Sequence, residues 1–512
     1  MGDGVGTSLK PELVSKVAFL YASTIASAIF SYIALFFATR FLGDEVYGTF
    51  AFGLSFAGIF IFVTDLGLST AHTKKVSEGE DLQSCMSVFM VSRLILIGVF
   101  SVIVFAVIFL WENAFGQGWE SPDTPLVIAI IMLYFIQSSI TYVFSSTFLA
   151  QRDVVRAQAI AISDVASRAL ATLLVIAMGW GLVGLAGTYA VEGLVALIVA
   201  LYLARKRLPK IRLSAARKAL LKQYMKFAAP IAATTILGTI VLYGDKVLIQ
   251  YSSTSAAETG YYFAYQRILA FYLALSPVIA SVAYPAFSQL NAQKDGREAI
   301  SKMTTSMIRY FLLVSIPAVF FLTVFSTDIL SIFLSSSFAS GAVAFSILAV
   351  GYSIGLTISP FSSQTLGMGM SGTYGKYMVT CYIAMIVLDI ILIPSDLLSI
   401  PLAGWGINGA AVSLLAGEII VAALFYWNAR KLLRLKAPKG IIGTTCASAI
   451  AIIAVYALTT YVEISRFYEV VALFLLFAGI FLALAILFRA ITVKEIKEMI
   501  WMLRPKHLLH KP

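Results

Sequence analysis

Residues 159–204 read AIAISDVASRALATLLVIAMGWGLVGLAGTYAVEGLVALIVALYLA. About 20 apolar residues carry a helix across a bilayer, so this stretch is too long for one crossing. Gly179-Trp-Gly181 divides it into spans 159–178 and 182–204 joined by a tight turn. The stretch is therefore a helical hairpin written for lipid. It also carries Asp164, Arg168 and Glu192 at depths where a charge is costly.

Outward from this hairpin the same pattern continues in both directions. Hydrophobic residues make up 60% of the 512 and charged residues only 12%, whereas soluble chains are about one-quarter charged. Lipid must be the solvent for most of the chain. Fourteen spans are expected, at 17–39, 47–71, 85–111, 125–149, 159–178, 182–204, 227–250, 260–287, 304–325, 341–366, 377–394, 407–427, 442–461 and 467–490. The first is longer than a signal-peptide core and is read as a retained span.

The loops test that placement. Of 37 Lys and Arg residues, 29 fall on the N-terminus, the even-numbered loops and the C-terminus. The opposite side carries only Arg40 and Arg466, and six lie within spans. The skew identifies the basic side as cytoplasmic, with both termini inside. It also absorbs the net charge of +11 without nucleic acid. The basic stretches 205–226 and 430–439 follow from the same rule, with anionic lipid binding as the alternative. After Ile491, Val493, Ile496, Ile500 and Leu503 recur at helical spacing and read as an interfacial amphipathic helix.

The hairpin's turn recurs. Gly179-Trp-Gly-Leu-Val-Gly184 matches Gly404-Trp-Gly-Ile-Asn-Gly409, and both following spans leave through Ala-Arg-Lys, at 204–206 and 429–431. Phe144-Ser-Ser-Thr-Phe-Leu149 matches Phe361-Ser-Ser-Gln-Thr-Leu366, and the stretch from Glu45 to Ala51 matches that from Glu258 to Ala264. The unit is six spans, an even number, so the halves are parallel repeats. The expected organisation is a six-helix lobe at 1–210, a second at 211–435, helices 13 and 14 at 436–490, and a tail at 491–512. Paired lobes suit alternating access around a central cavity.

A charge at mid-span costs about 2.5–3.5 kcal/mol on insertion scales, so it should face a partner or a cavity. Asp164 and Arg168 share a helix face at i,i+4, which suits an ion pair or a cavity-lining Arg. Asp245 and Lys246, as neighbours, point about 100° apart, so full mutual neutralisation is not expected, and Lys246 has the option of snorkelling outward. Arg267 is placed in the cavity. Glu192, Asp389 and Glu418 are mid-span acids fit for proton sites or for pairing with the basic residues. Asp65, Arg93 and Arg309 read as helix-end or snorkelling residues. Pro230, Pro277, Pro285, Pro317 and Pro360 fall in spans 7–10, while spans 1–6 have no internal Pro; bent helices in the second lobe serve either as hinges or as static packing.

No enzymatic pattern is visible. The three cysteines (Cys85, Cys381, Cys446) are widely spaced in apolar segments, and the three histidines (His72, His507, His510) lie outside the spans. Neither a disulfide framework nor a metal site is expected. There is no Walker loop to use ATP and no HExxH. No cofactor is implied.

The stretches Gly43-Asp-Glu-Val-Tyr-Gly48, Asp65-Leu-Gly-Leu-Ser-Thr70, Gly244-Asp-Lys-Val-Leu-Ile249, Gly260-Tyr-Tyr-Phe-Ala-Tyr-Gln-Arg267 and Gly406-Ile-Asn-Gly-Ala-Ala411 resemble polysaccharide transporters. These are the Wzx-type oligosaccharide flippases of the multidrug/oligosaccharidyl-lipid/polysaccharide superfamily. The resemblance covers essentially the whole chain. It implies translocation of a polyprenyl-phosphate- or pyrophosphate-linked oligosaccharide from the cytoplasmic to the outer leaflet of the cell membrane. Its implied partners are that substrate and membrane lipids, with polysaccharide polymerase or glycosyltransferases beside them. On this reading the anionic head group meets a cationic cavity for which Arg168, Lys246 and Arg267 are the candidates. A Na⁺- or H⁺-coupled drug or metabolite exporter of the same superfamily is the alternative, although span one lacks the acid such exporters commonly carry. Lipid II flippases typically carry basic residues in their first spans, and here only Arg40 stands at the outer end of span one. A non-transporting scramblase or assembly scaffold is a third reading.

Overall fold

The computed structural model describes residues 11–113, 119, 121–212, 217–253, 255–273, 276–293, 296–397, 399–433, 435, 440–459, 464–492 and 495. The expected amphipathic helix built on Val493, Ile496, Ile500 and Leu503 lies outside them. The first lobe's sequence forms α1 (Pro11–Leu42), α2 (Asp44–Gly58), α3 (Leu68–Ser77), α4 (Leu82–Asn113), α5 (Thr124–Ala150), α6 (Val154–Met178) and α7 (Gly181–Arg207). The second forms α8 (Lys218–Ser252), α9 (Ala256–Leu273), α10 (Ser276–Asn291), α11 (Gly296–Val324), α12 (Ser326–Phe333), α13 (Ala342–Gly367), α14 (Ser371–Leu392) and α15 (Gly406–Leu433). Then follow α16 (Ile441–Thr459) and α17 (Phe467–Leu487). The strands among the described residues are a two-stranded antiparallel hairpin, β1 (Asp396–Leu397) and β2 (Ile400–Pro401), in the loop after α14. Neither this hairpin nor the short α12 follows from the hydropathy pattern.

Among the described residues, twelve helices are long and apolar enough to cross a membrane, and the α2–α3 pair, bent by 42°, raises this to as many as thirteen. The chain is a multi-pass, all-α membrane protein. The expected continuous span 47–71 is broken. A 3₁₀ turn at Ile61–Thr64 follows α2, and Leu66 and Gly67 take positive φ of 45° and 83°. The Asp65 carboxylate then accepts from the Ser69 amide at 3.0 Å and its hydroxyl at 2.8 Å, restarting the helix as α3. Expected span 260–287 likewise falls on two helices, α9 and α10, whose junction at 274–275 lies outside the described residues. Pro277 is the second residue of α10, where a helix tolerates proline. Pro230, Pro285, Pro317 and Pro360 lie inside α8, α10, α11 and α13.

The repeated turn has the same backbone in both places. Gly179 and Gly181 take φ of 68° and 55°, and Gly404 and Gly406 take 67° and 51°. A side chain at any of the four would be strained in the left-handed region, which is why Gly-Trp-Gly recurs as a unit.

The end of the molecule opposite the basic loops is the cation-poor end. One apolar core runs through that half, joining Phe50 and Leu54 of α2, Ile131 of α5, Tyr262 of α9, Phe345 of α13 and Phe477 of α17. Toward the basic end the core divides. Leu68, Phe89, Phe148 and Tyr224 form one part, Ile308, Phe361, Met385 and Phe425 another, and Ala283, Phe287, Ile300 and Leu433 a third. The cation-poor end is closed by α2 crossing α9. A Cβ on Gly48 would run into the Ala256 carbonyl, and one on Gly260 would stand 2.9 Å from Asp44 O and from Gly48 N. Tyr261 adds a hydrogen bond to the Asp44 carboxylate at 2.7 Å, and Ser255 one to Glu45 at 2.9 Å.

Candidate functional site: charges inside the apolar helices

The Gly-Trp-Gly turn sends α7 back beside α6. Arg168 lies eleven residues before Gly179 and Glu192 eleven after Gly181, so both sit about 16 Å from the turn at 1.5 Å per residue. They meet there. The Arg168 guanidinium lies 3.1 Å from Glu192 Oε1, donates to Oε2 at 3.2 Å and to the Ser31 hydroxyl of α1 at 3.1 Å, and rests 5.0 Å from the Tyr189 ring centroid. Both side chains are buried. The expected i,i+4 pairing with Asp164 does not form. Asp164 stays half-buried with no ion pair among the described residues.

The second cluster corrects an expectation. Asp245 and Lys246 do neutralise each other, at 2.8 Å. Their Cα–Cβ bonds diverge, but a four-carbon lysine stem can curl back over a short aspartate. Lys246 Nζ also donates to the Leu242 carbonyl at 2.6 Å and sits 5.6 Å from the Tyr262 ring centroid. Gln266 donates to the other carboxylate oxygen at 3.1 Å. Lys246 is 1% exposed, so it neither snorkels nor offers a surface to a ligand in this conformation. Asp389 of α14, also buried, lies within electrostatic reach of both residues and near Ser413 of α15, whose hydroxyl donates to the Met385 carbonyl at 2.9 Å.

Arg267 differs from both. It lies eleven residues into α9, about 16 Å from that helix's first residue, yet its side chain is exposed. The guanidinium packs 4.7 Å from the Phe263 ring centroid, within electrostatic reach of Arg168, Tyr189, Tyr47 and Tyr243. It has no carboxylate within ion-pair distance among the described residues. Arg267 thus combines an exposed side chain deep in a long apolar segment with tyrosines as its neighbours. Glu418, half-buried in α15, stands against Gly355 of α13 and has no ion-pair partner among the described residues. The phenol of Tyr352 lies within electrostatic reach of Asp245, Glu418 and Arg267, which places it between these groups.

Three further expectations change. Arg93 does not snorkel; it is buried, 2.6 Å from Asp65, with its guanidinium over the rings of Phe89 and Tyr142. Arg309 binds Glu495 at 2.7 Å and the Ala490 carbonyl at 2.8 Å, tying α11 to the segment after α17. His72 is fully buried, hydrogen-bonded to Tyr224 at 3.0 Å and Thr147 at 2.8 Å. It lies in α3, because the helix restarts at Leu68 and carries it inward. The sequence reading also missed Ser31, Tyr189, Gln266 and Tyr262. The equal distance of Arg168 and Glu192 from their turn was the available signal for the first cluster.

Bent and interrupted spans with buried and exposed cations in their interior are the architecture of this multi-pass membrane protein. The chain belongs to the polysaccharide biosynthesis protein family, whose model matches residues 13–291. A relative in Haloferax volcanii, a probable low-salt glycan biosynthesis flippase named Agl15, is 24% identical over 415 residues, covering 77% of this chain and 78% of its own. Among solved structures, the lipid II flippase MurJ in an inward closed conformation superposes with a TM-score of 0.74 at 14% identity, covering 92% of this chain and 98% of its own. An inward-facing multidrug resistance MATE transporter of the MOP superfamily gives 0.62 at 15%, covering 80% and 94%. The fold is that of this superfamily, and these relatives are transporters rather than catalysts.

Proposed function

We propose that this protein flips a polyprenyl-(pyro)phosphate-linked oligosaccharide from the cytoplasmic to the outer leaflet by alternating access. Residues 1–210 and 211–435 are the lobes that rock, with 436–490 appended. The observation that carries this reading is the exposed guanidinium of Arg267, which has no ion-pair partner among the described residues and lies near groups of both halves of the chain. Arginine presents donors that match phosphate oxygens, and the surrounding tyrosines offer faces and hydroxyls to sugars. Arg267 makes the first contact with the head group. Arg168 is the second cation, released when the head group competes with Glu192. Lys246 holds Asp245 until the lobes move. Asp164, Asp389 and Glu418 are the groups available to couple a proton to the cycle. The function stated for Agl15 and the MurJ-like fold agree with this reading.

The test is flipping of a short polyprenyl-pyrophosphate oligosaccharide by the reconstituted chain. Flipping by the intact protein that falls at least about tenfold in Arg267→Ala, the loss expected when one charge-assisted contact disappears, supports the site. Undiminished flipping in Arg267→Ala and Arg168→Ala removes it. Absence of flipping by the intact, folded protein favours a soluble-substrate exporter or a scaffold. Indifference to an imposed pH gradient removes the coupling role of the acids.

A further inference from the structure

We propose a second anion site, for the phosphate of a membrane lipid, at the cation-poor end between α1 and α17. The two basic residues that the loop analysis places on that side, Arg40 and Arg466, come from distant parts of the sequence and line one cavity of about 410 Å³. Tyr32, Phe36, Ile332 and Phe467 complete its wall. No carboxylate lines it among the described residues.

The convergence is built into the helices. Arg40 sits in the last turn of α1, and its guanidinium is fixed by one bond from Nη1 to the Ile332 carbonyl at 2.9 Å and by the Phe36 ring at 5.4 Å. Arg466 is the N-cap of α17, held by one bond from Nη1 to the Tyr468 hydroxyl at 2.8 Å. Each guanidinium has five donors, so most on both remain for a ligand. Glu469 is occupied by the Ser465 and Arg466 amides at 2.8 and 2.9 Å. The hydroxyl of Tyr32 is shut off from solvent without a hydrogen-bond partner among the described residues, within electrostatic reach of Arg40. A buried hydroxyl without a partner is costly, and an anion seated between the arginines would accept a hydrogen bond from it. The N-terminus of α17 adds its partial positive charge.

The ligand is a lipid rather than a free ion because the rest of the wall is aromatic and apolar. Phe41 and Phe467, both more than half exposed, extend that surface at the ends of the two helices. The positively charged site lies on the side from which other cations are missing, so the topology rule does not account for it. Nothing in this site depends on transport, and it is read by binding alone.

The test uses the full-length chain carrying Arg267→Ala, so that the cavity between the lobes contributes less and, with Arg168 present throughout, equally in every variant compared. Retention of polyprenyl monophosphate is measured by native mass spectrometry, with phosphatidylcholine as the uncharged-head control. Arg40→Gln with Arg466→Gln is expected to lower occupancy about tenfold, the effect of removing charge-assisted phosphate contacts. Tyr32→Phe, which deletes only a hydroxyl, is expected to lower it about threefold. Equal occupancy in the double variant and its parent, at unchanged thermal midpoint, overturns the site. Full displacement by inorganic phosphate overturns the lipid assignment. If the double variant does not fold, Tyr32→Phe decides: unchanged occupancy in that variant also overturns the site.

Discussion

Two buried ion pairs flank Arg267, and they are built differently. Arg168 finds Glu192 across a hairpin and Ser31 on a third helix, so one guanidinium ties α6, α7 and α1 together. Lys246 finds Asp245 one residue away and the Leu242 carbonyl one turn back, all within α8. The first pair is a cross-brace; the second is largely self-contained and travels with its helix. The prolines follow the same division, with Pro230, Pro285, Pro317 and Pro360 inside helices of the second lobe. A helix whose buried cation is satisfied largely within itself, as in α8, can shift with less loss than one held across three helices, as α6 is. The stiffer of the two charge contacts therefore sits on α6 and the more mobile one on α8.

The largest effect is expected where the brace is cut. Glu192→Ala leaves Arg168 buried without its carboxylate and should cost about 3–5 kcal/mol, the usual penalty for a broken buried pair, seen in thermal unfolding of the purified protein. Asp245→Asn keeps the shape and hydrogen-bonding capacity near Lys246, which retains the Leu242 carbonyl. It should cost about 1–2 kcal/mol. Equal losses in the two variants would abolish the distinction between brace and self-contained pair. Replacing Arg168 and Glu192 together by Met and Leu should change stability by about 1 kcal/mol or less, because apolar residues of similar size replace buried pairs well. Flipping should nevertheless fall in that double variant if Arg168 is the second contact. Smallest of all, Arg267→Ala should alter stability by no more than about 0.5 kcal/mol, since no ion pair is lost, while its transport falls. A large loss of stability there would mean that Arg267 is structural.

These pairs also show where the sequence stops being legible. Hydropathy and the basic skew revealed a helical membrane protein, and the Gly-Trp-Gly repeat marked two turns whose backbone angles agree within a few degrees. The break at Leu66–Gly67 stayed hidden because it interrupts hydrogen bonding without interrupting hydropathy; Asp65 and Ser69 supply the bonds within the same apolar run. Arg168, Lys246 and Arg267 were all identifiable as cations in the wrong solvent. Which of them was free was not, since pairing depends on neighbours distant in sequence or on how far a flexible stem reaches. Periodicity along one helix offered Asp164 to Arg168, and only the hairpin geometry offers Glu192.

The crossing of Gly48 and Gly260 has a consequence for the permeability barrier of the membrane. A closure made by side chains leaks in degrees, as each rotamer flickers and admits a water or a proton. Where two backbones touch, there is no rotamer to flicker. The barrier at this end yields only when whole helices part, so solutes smaller than the cargo meet a wall with a threshold rather than a sieve.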